Sequence, residues 1–301
     1  MTDSTSYFKP PLVQGIIRVL PLPLKWRVFA LRAYNMMLRM MRSEYLATTY
    51  FGARIHCNLR DLVQSFIFHF GVWEPDVSSV LERNLAPGDV FVDIGANIGY
   101  DTLLGSVRVG STGKVVAIEA SPRTFSLLQR NLEINKTSSN VRAVNLAISE
   151  HPGKISLFEI SEHNIGAATT VASRGGTLMT SVEGLPLTEI LMPDERARLR
   201  LIKIDVEGAE PGILRHLLQN LSLYPKTMDL IVEVSPSDDL QAWADLFDQL
   251  KAAGFAAYEV PNEYDRAWYI SWRQPSPLQP IETLPKIQRD LFFTRWPPRH
   301  E

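Results

Sequence analysis

From residue 89 onward, short apolar runs alternate with amphipathic stretches, and this alternation does most to limit the possible folds. DVFVDIG (89–95), KVVAIEA (114–120), VRAVNLAI (141–148), RLIKIDVEG (200–208) and MDLIVEV (228–234) are near-continuous apolar runs. Strands buried on both faces have this character. Between them, GYDTLLGSV (99–107), PRTFSLLQRNLEIN (122–135) and the stretch from about Ala209 to Gln219 read as helices, with Ser121 and Pro122 as a start signal. Strands that alternate with helices need crossover connections, so the pattern predicts a parallel sheet covered on both faces.

The rest of the chain is fitted around that unit. KISLFEI (154–160) predicts a further strand, and the small, polar, Gly-rich stretch 161–176 predicts a mobile loop. DDLQAWADLFDQLKAAG (238–254) predicts an amphipathic helix ended by Gly254. FAAYEV (255–260), AWYISW (267–272) and RDLFFTR (289–295) read as late, antiparallel strands. The expectation is one α/β domain over 61–301, preceded by an extension over 1–60.

That extension has its own character. Residues 1–60 hold nine Lys/Arg against two Asp/Glu, a balance of +7, so with −2 overall the remainder carries −9. No acidic residue falls between Phe8 and Arg42. After a Pro-punctuated lead-in (10–23), residues 25–42 predict a helix. Lys25, Arg32, Asn35, Arg39 and Arg42 share one polar arc; Trp26, Phe29, Ala33, Met36, Met37 and Met40 lie on the other side. The plain expectation is that the apolar side packs on the main domain. A substrate lid, an oligomer contact, and a peripheral membrane contact through residues 10–42 are the sharper readings. Residues 45–60 predict a hairpin turning at Gly52.

No apolar run approaches the roughly 20 residues of a membrane span, and prolines and arginines break up any signal-peptide core. A single cysteine, Cys57, rules out an internal disulfide and fits a reducing, cytoplasmic setting, with membrane association if the extension docks. The acidic balance of the main domain disfavours a nucleic-acid partner.

In open parallel sheets, ligands bind at the carboxyl ends of the strands. The first strand ends in Asp93-Ile94-Gly95-Ala96-Asn97-Ile98-Gly99, the second in Glu119, the third in Asn145-Leu146-Ala147, the fourth in Asp205-Val206-Glu207-Gly208 and the fifth in Glu233-Val234-Ser235. A dinucleotide fingerprint would read G-x-G-x-x-G and seat a pyrophosphate on a helix N-terminus. Here the spacing is D-x-G-x-N-x-G, and a carboxylate beside a pyrophosphate repels it. Asp93 suits a cation instead, and S-adenosylmethionine carries an ammonium, a carboxylate and a sulfonium but no phosphate. Gly95 and Gly99 let the backbone approach a ligand, and Asn97 tolerates left-handed backbone. Glu119, 26 positions after Asp93, can accept both hydroxyls of a ribose. A nicotinamide oxidoreductase and a non-catalytic scaffold are the rival readings.

DIGANIG (93–99), GKVVAIEASP (113–122) with the following Asn131 and Asn135, KIDVEGAE (203–210) and the upstream GVWEPD (71–76) together resemble the FkbM-type methyltransferases, members of the class I S-adenosylmethionine-dependent superfamily. The resemblance spans roughly residues 60–235. It implies a Rossmann-like fold: a mostly parallel seven-stranded sheet with an antiparallel last strand, helices on both faces, and here an N-terminal helical extension. It implies that Asp93 holds the methionine ammonium, directly or through water. Gly95, Ala96, Asn97 and Gly99 would form the turn under the cofactor. Glu119 would bind the ribose, with Ala120 and Ser121 beside the adenosine. Asn145, Leu146 and Ala147 would flank the adenine, and Glu74 would close over the amino-acid end.

Methyl transfer to an alcohol gains from alignment and from a base. Asp205, at the end of the fourth strand, is the first candidate base; orienting the cofactor or the substrate is its alternative role. Glu207 follows, and His163 in the predicted loop is a further candidate. Glu210, before Pro211, suits a helix start and reads as structural. Asp205 and Glu233 lack a good third ligand in Ser235, so no metal is expected. The expected activity is O-methylation of a small hydroxylated molecule such as a sugar, a polyketide-type product or another secondary metabolite. N-methylation and a glycan or lipid-linked acceptor are the alternatives within the fold.

Overall fold

The computed structural model describes residues 17, 19–42, 44–137, 139–159, 168–170, 176–237 and 239–296. Helix α1 (Leu24–Met41) follows Pro23. Strands β1 (Glu44–Thr48) and β2 (Arg54–Asn58) form the expected antiparallel hairpin, with Gly52 at φ 89° in its turn. Helix α2 (Leu62–Phe70) starts where the Asp61 carboxylate accepts from the Gln64 amide and stops at left-handed Gly71. Helix α3 (Pro75–Asn84) follows at once.

The alternation then unfolds as read: β3 (Val90–Ile94), α4 (Tyr100–Val109), β4 (Lys114–Ile118), α5 (Pro122–Asn135) and β5 (Val141–Val144). Next come β6 (Ala147–Ile148), β7 (Gly153–Glu159), β8 (Ala168–Thr169) and β9 (Thr177–Leu185), a small separate sheet in the order β6-β9-β7-β8. Two short helices, α6 (Leu187–Ile190) and α7 (Pro193–Ala197), lead into β10 (Leu199–Ile204) and α8 (Glu210–Gln219). The chain closes with β11 (Asp229–Val234), α9 (Leu240–Ala252), β12 (Ala256–Val260), α10 (Arg266–Ser271), β13 (Gln279–Ile281) and β14 (Arg289–Thr294).

The main sheet runs β13-β12-β14-β11-β10-β3-β4-β5. From β5 to β11 every pairing is parallel. β14 is antiparallel to both β11 and β12, so β12 runs with the parallel set and the last strand in the chain opposes it. This is the seven-stranded arrangement expected, with β13 as an eighth strand at the edge. One face packs Val92, Ile94, Ile202, Ile204 and Val232 under α8 and α9. The alternate residues Phe91, Val115, Leu201, Ile231 and Phe292 pack under α3 and α4 on the other face. Both faces are covered, so the strands carry no polar alternation.

Four local expectations change. Residues 255–260 form a strand parallel, not antiparallel, to β11. Residues 267–271 are helical, within α10: Asp265 accepts from the amides of Ala267 and Trp268, and Tyr269 seats its ring 4.7 Å from Phe66 and 5.0 Å from Phe70. The cap and this long-range aromatic packing outweigh the β propensity of AWYISW. VRAVNLAI splits between two sheets, because Asn145 donates through Nδ2 to the carbonyls of Glu119 (2.8 Å) and Ala120 (3.0 Å) and turns the chain away. Finally, α1 does not bury its Met-rich side. Leu31, Asn35 and Leu38 are its buried residues, and Asn35 Oδ1 meets Nε2 of buried His69 at 2.8 Å. Burial pulls His69 down to about 4, and its Nδ1 is buried without a partner.

Candidate active site

A cavity of about 200 Å³ opens at the carboxyl ends of β3, β4 and β10. The turn after β3 fixes its floor. The amides of Gly95 and Ala96 both donate to the Ile118 carbonyl, at 2.9 and 3.0 Å, and the Asp205 amide donates to the Ile94 carbonyl at 3.0 Å. Three strand ends are thus laced together. Gly95 sits at φ 84°, and a Cβ there would lie 1.7 Å from the Asp205 carbonyl oxygen. No other residue fits that position without moving the β10 end. Asn97 holds left-handed backbone at φ 48° and turns its amide to Glu119 Oε2 at 2.9 Å. Glu119 Oε1 accepts from the Ser121 amide at 2.8 Å. Burial pushes the Glu119 carboxyl up to about 7, against the pull of those two amides.

Asn131 and Asn135 on α5 stitch the turn to the hairpin. Asn131 Nδ2 donates to the Ile98 carbonyl at 2.9 Å, while its Oδ1 accepts from the His56 amide at 2.9 Å. Asn135 Oδ1 accepts from the Arg54 amide at 2.8 Å. The strand β2 is therefore bonded to the helix that follows β4.

Lys203 forms the electrostatic centre. It is 3% exposed, inside an apolar strand, and its Nζ lies 2.8 Å from Asp205 Oδ2 and 3.2 Å from Asp101 Oδ2. Burial lowers the lysine pKa, but Asp205, Asp101, Glu74 and Asp93 outweigh it and hold the ammonium well above its ordinary value. One cation does not satisfy this many acids. Asp93 accepts from Thr102 Oγ1 at 2.5 Å through Oδ2, while its Oδ1 is buried without a partner. Asp101 Oδ1 and Glu74 Oε2 are buried without one as well. Burial raises all three carboxyls, Asp93 to about 7.

Glu74 precedes α3 and is held by the late segment. Its amide donates to the Tyr269 hydroxyl at 2.9 Å, and Oε1 accepts from the Tyr264 hydroxyl at 2.8 Å. Tyr264 stacks on Trp73, with centroids 5.3 Å apart and planes 14° from parallel. Glu74, Asn97 and Glu207, at φ 44°, 48° and 56°, all line the cavity in a backbone region costly for side chains. Beyond Glu233, Tyr264 and Gln288 lies a second, polar cavity of about 170 Å³ that shares those three residues and adds Asn262, Glu263, Arg289 and Asp290. Burial pushes Glu233 up to about 10 and Asp290 up to about 6.

Of the sequence-predicted site residues, Glu74, Gly95, Ala96, Asn97, Glu119, Ala120, Leu146, Ala147, Asp205 and Glu207 line the cavity. Asp93, Gly99, Ser121 and Asn145 stand behind its wall. Asp93 is 1% exposed beneath the turn. Gly99 presses on Leu128, which a Cβ would approach to 2.6 Å. The Ser121 hydroxyl caps α5, and Asn145 donates to the Glu119 and Ala120 carbonyls just past β4. His163 lies outside the described residues. Glu210 accepts from the amides of Val206 and Gly208, so it shapes the loop after β10 as its position before Pro211 suggested. Among the described residues no group of three or more His, Cys, Asp or Glu is arranged to hold a metal ion.

Sequence reasoning passed over Lys203, Asp101, Tyr264 and Gln288. Lys203 carried a usable signal, because a charge inside a strand covered on both faces must be paired. Asp205, two residues on, was its natural partner. Tyr264 and Gln288 carried none.

The sequence profile of the Methyltransferase FkbM domain matches residues 93–256. Methyltransferase sdnD of Sordaria araneosa is 30% identical over 160 residues, 44% of this chain and 61% of that protein, so the chain spans about three-fifths of that relative. Methyltransferase 1 of Beauveria bassiana (strain ARSEF 2860) is 30% identical over 199 residues, 58% of this chain and 76% of that protein. The crystal structure of methyltransferase FkbM from Methylobacillus flagellatus KT is 18% identical, with a TM-score of 0.43, covering 68% of this chain and 43% of that one.

Proposed function

From the premise that the chain belongs to the FkbM methyltransferase family, we propose that it moves a methyl group from S-adenosylmethionine to a hydroxyl of a small polar acceptor. The observation that carries this reading is the cluster of partnerless buried carboxylate oxygens: Glu74 Oε2 and Asp101 Oδ1 on the cavity wall, with Asp93 Oδ1 behind it. Buried acceptors without partners are costly, and a cationic ligand group supplies what they lack. The donor's ammonium and sulfonium meet that need, and a pyrophosphate does not.

In this reading the ammonium offsets the burial that raises Glu74 and pairs with its ionised carboxylate, with Asp101 on the same lining and Asp93 beneath the turn. Glu119 keeps the Asn97 turn in place and has lone pairs left for ribose hydroxyls. Leu146 and Ala147 offer an apolar slot to the adenine. When bound, the sulfonium supplies a methyl carbon already activated for displacement. The chain supplies alignment and charge. Asp205, with Oδ2 tied to Lys203, keeps its second oxygen to accept the acceptor's hydroxyl proton in a hydrogen bond. Glu207 stands beside it on the rim. Glu233, held as a neutral acid, donates rather than repels. The second polar cavity, reached past Glu233, Tyr264 and Gln288, is the room for the acceptor.

Calorimetric titration of the protein with S-adenosylmethionine and with its demethylated product tests the donor. Micromolar affinity for both is expected, with transfer of labelled methyl to hydroxylated metabolites. Heat from a dinucleotide and none from either sulfur ligand would overturn the reading.

A further inference from the structure

Helix α1 turns a narrow face to the protein and a wide apolar one to solvent. Leu31, Asn35 and Leu38 are buried. Opposite them Trp26 is 53% exposed, Phe29 62%, Met36 63% and Met40 83%, and Met37 and Met41 are exposed beside them. At 100° per residue these six span about 140° of the wheel. Lys25, Arg32 and Arg39 run along one edge of that stripe, and Arg27 lies on the other side. There is no acidic residue from Ser4 to Ser43.

An apolar patch this continuous, with an aromatic start and a basic border, marks an interaction surface. Charge decides its occupant. A second copy of the helix would bring the same basic edge with no carboxylate to answer it, so self-pairing sets like charges together. An anionic bilayer offers acyl chains to the stripe and negative headgroups to the edge. No described helix is long and apolar enough to cross a membrane, which leaves α1 lying in the interface plane.

We propose that α1 docks the protein onto an anionic lipid surface, with the stripe at 26–41 entering the headgroup boundary and Lys25, Arg32 and Arg39 meeting lipid phosphates and carboxylates. The inference is independent of which acceptor is methylated. It places the lipid beside the site machinery, because α1 packs on α10, which begins two residues after Tyr264.

Sedimentation of the full chain with vesicles tests this, using phosphatidylcholine alone and an equimolar mixture with phosphatidylserine. Binding to the mixed vesicles, at least about tenfold tighter than to phosphatidylcholine and weakened by salt, is expected from three or four basic side chains. The variant with Phe29→Ser and Met40→Ser changes only exposed side chains and should lose about tenfold or more while melting like the parent. Arg32→Glu with Arg39→Glu should abolish the preference for the anionic mixture. Absence of binding to either vesicle at low salt overturns the proposal. So does a stripe variant that binds as well as the parent. Concentration-dependent dimers that the stripe variant dissociates, without vesicle binding, would assign the stripe to self-association instead.

Discussion

The two walls of the cavity are built by different means. On the wall formed by β3, β4 and β10, backbone atoms do the work: Gly95 lies against the Asp205 carbonyl, and the Asn97 amide is turned to Glu119. On the wall formed by residues 262–290, side chains do it: Tyr264 and Tyr269 grip Glu74 across nearly two hundred residues of sequence. The first wall is rigid by construction, since a laced turn has one conformation. The second can be rebuilt by substitution without breaking the sheet. In the proposed reading, a scaffold of this kind keeps its donor site and can exchange its acceptor site.

The sharpest test of that contrast is Gly95→Ala. A methyl group 1.7 Å from a carbonyl oxygen forces two strand ends apart. The expected cost is more than about 4 kcal/mol with loss of donor binding, read by thermal melting and calorimetry. Lys203→Met comes next. It leaves Asp101 and Asp205 buried or half-buried without their cation, at a cost of about 3–5 kcal/mol, seen as a midpoint lowered by roughly 10 °C.

The third test uses pH. Asp93, Glu119, Glu233 and Asp290 carry folded-state values of about 7, 7, 10 and 6, all raised by burial. A raised value means the folded state holds protons that the unfolded chain has already released. The stability is full below the ordinary carboxylate range and is lost as pH rises through 6 and beyond. The ligand-free protein should melt roughly 5 °C lower at pH 8 than at pH 5. Glu233→Gln should flatten that slope.

Smaller effects separate the walls. Glu74→Gln keeps the Tyr264 contact and removes the carboxyl that can ionise against the donor's ammonium, so donor affinity should fall about tenfold with little change in melting. Gln288→Ala should raise the acceptor KM a few-fold, about 1 kcal/mol, and leave donor affinity unchanged. If Gln288→Ala weakens the donor instead, the two walls are not separable.

The same contrast explains what the sequence made readable. Each strand end of the laced wall is a short contiguous motif, so D-x-G-x-N-x-G, the strand-end acids and the parallel sheet are legible from local rules. Asn131 and Asn135 were noticed as part of a pattern, but their partners, the amides of His56 and Arg54, are some eighty positions away. The late wall depends wholly on such distant contacts. AWYISW is rich in strand formers, and it takes the Asp265 cap together with the distant Phe66 and Phe70 rings to make it a helix. On α1 a wheel diagram located the apolar stripe correctly and misjudged which side the protein would bury. Leu31 and Leu38 with an asparagine between them form the packed face, and no periodicity rule ranks that above a wider apolar stripe holding Trp26, Phe29 and three methionines.

Glu74, Asn97 and Glu207 sit in left-handed backbone around one opening. Glycine at any of the three would relax the chain by about 1 kcal/mol. A search for heat-resistant variants scored on melting alone would therefore be drawn to these positions, and its winners would be sturdier proteins with a slackened mouth. Anyone hardening this protein for use should freeze those three codons first.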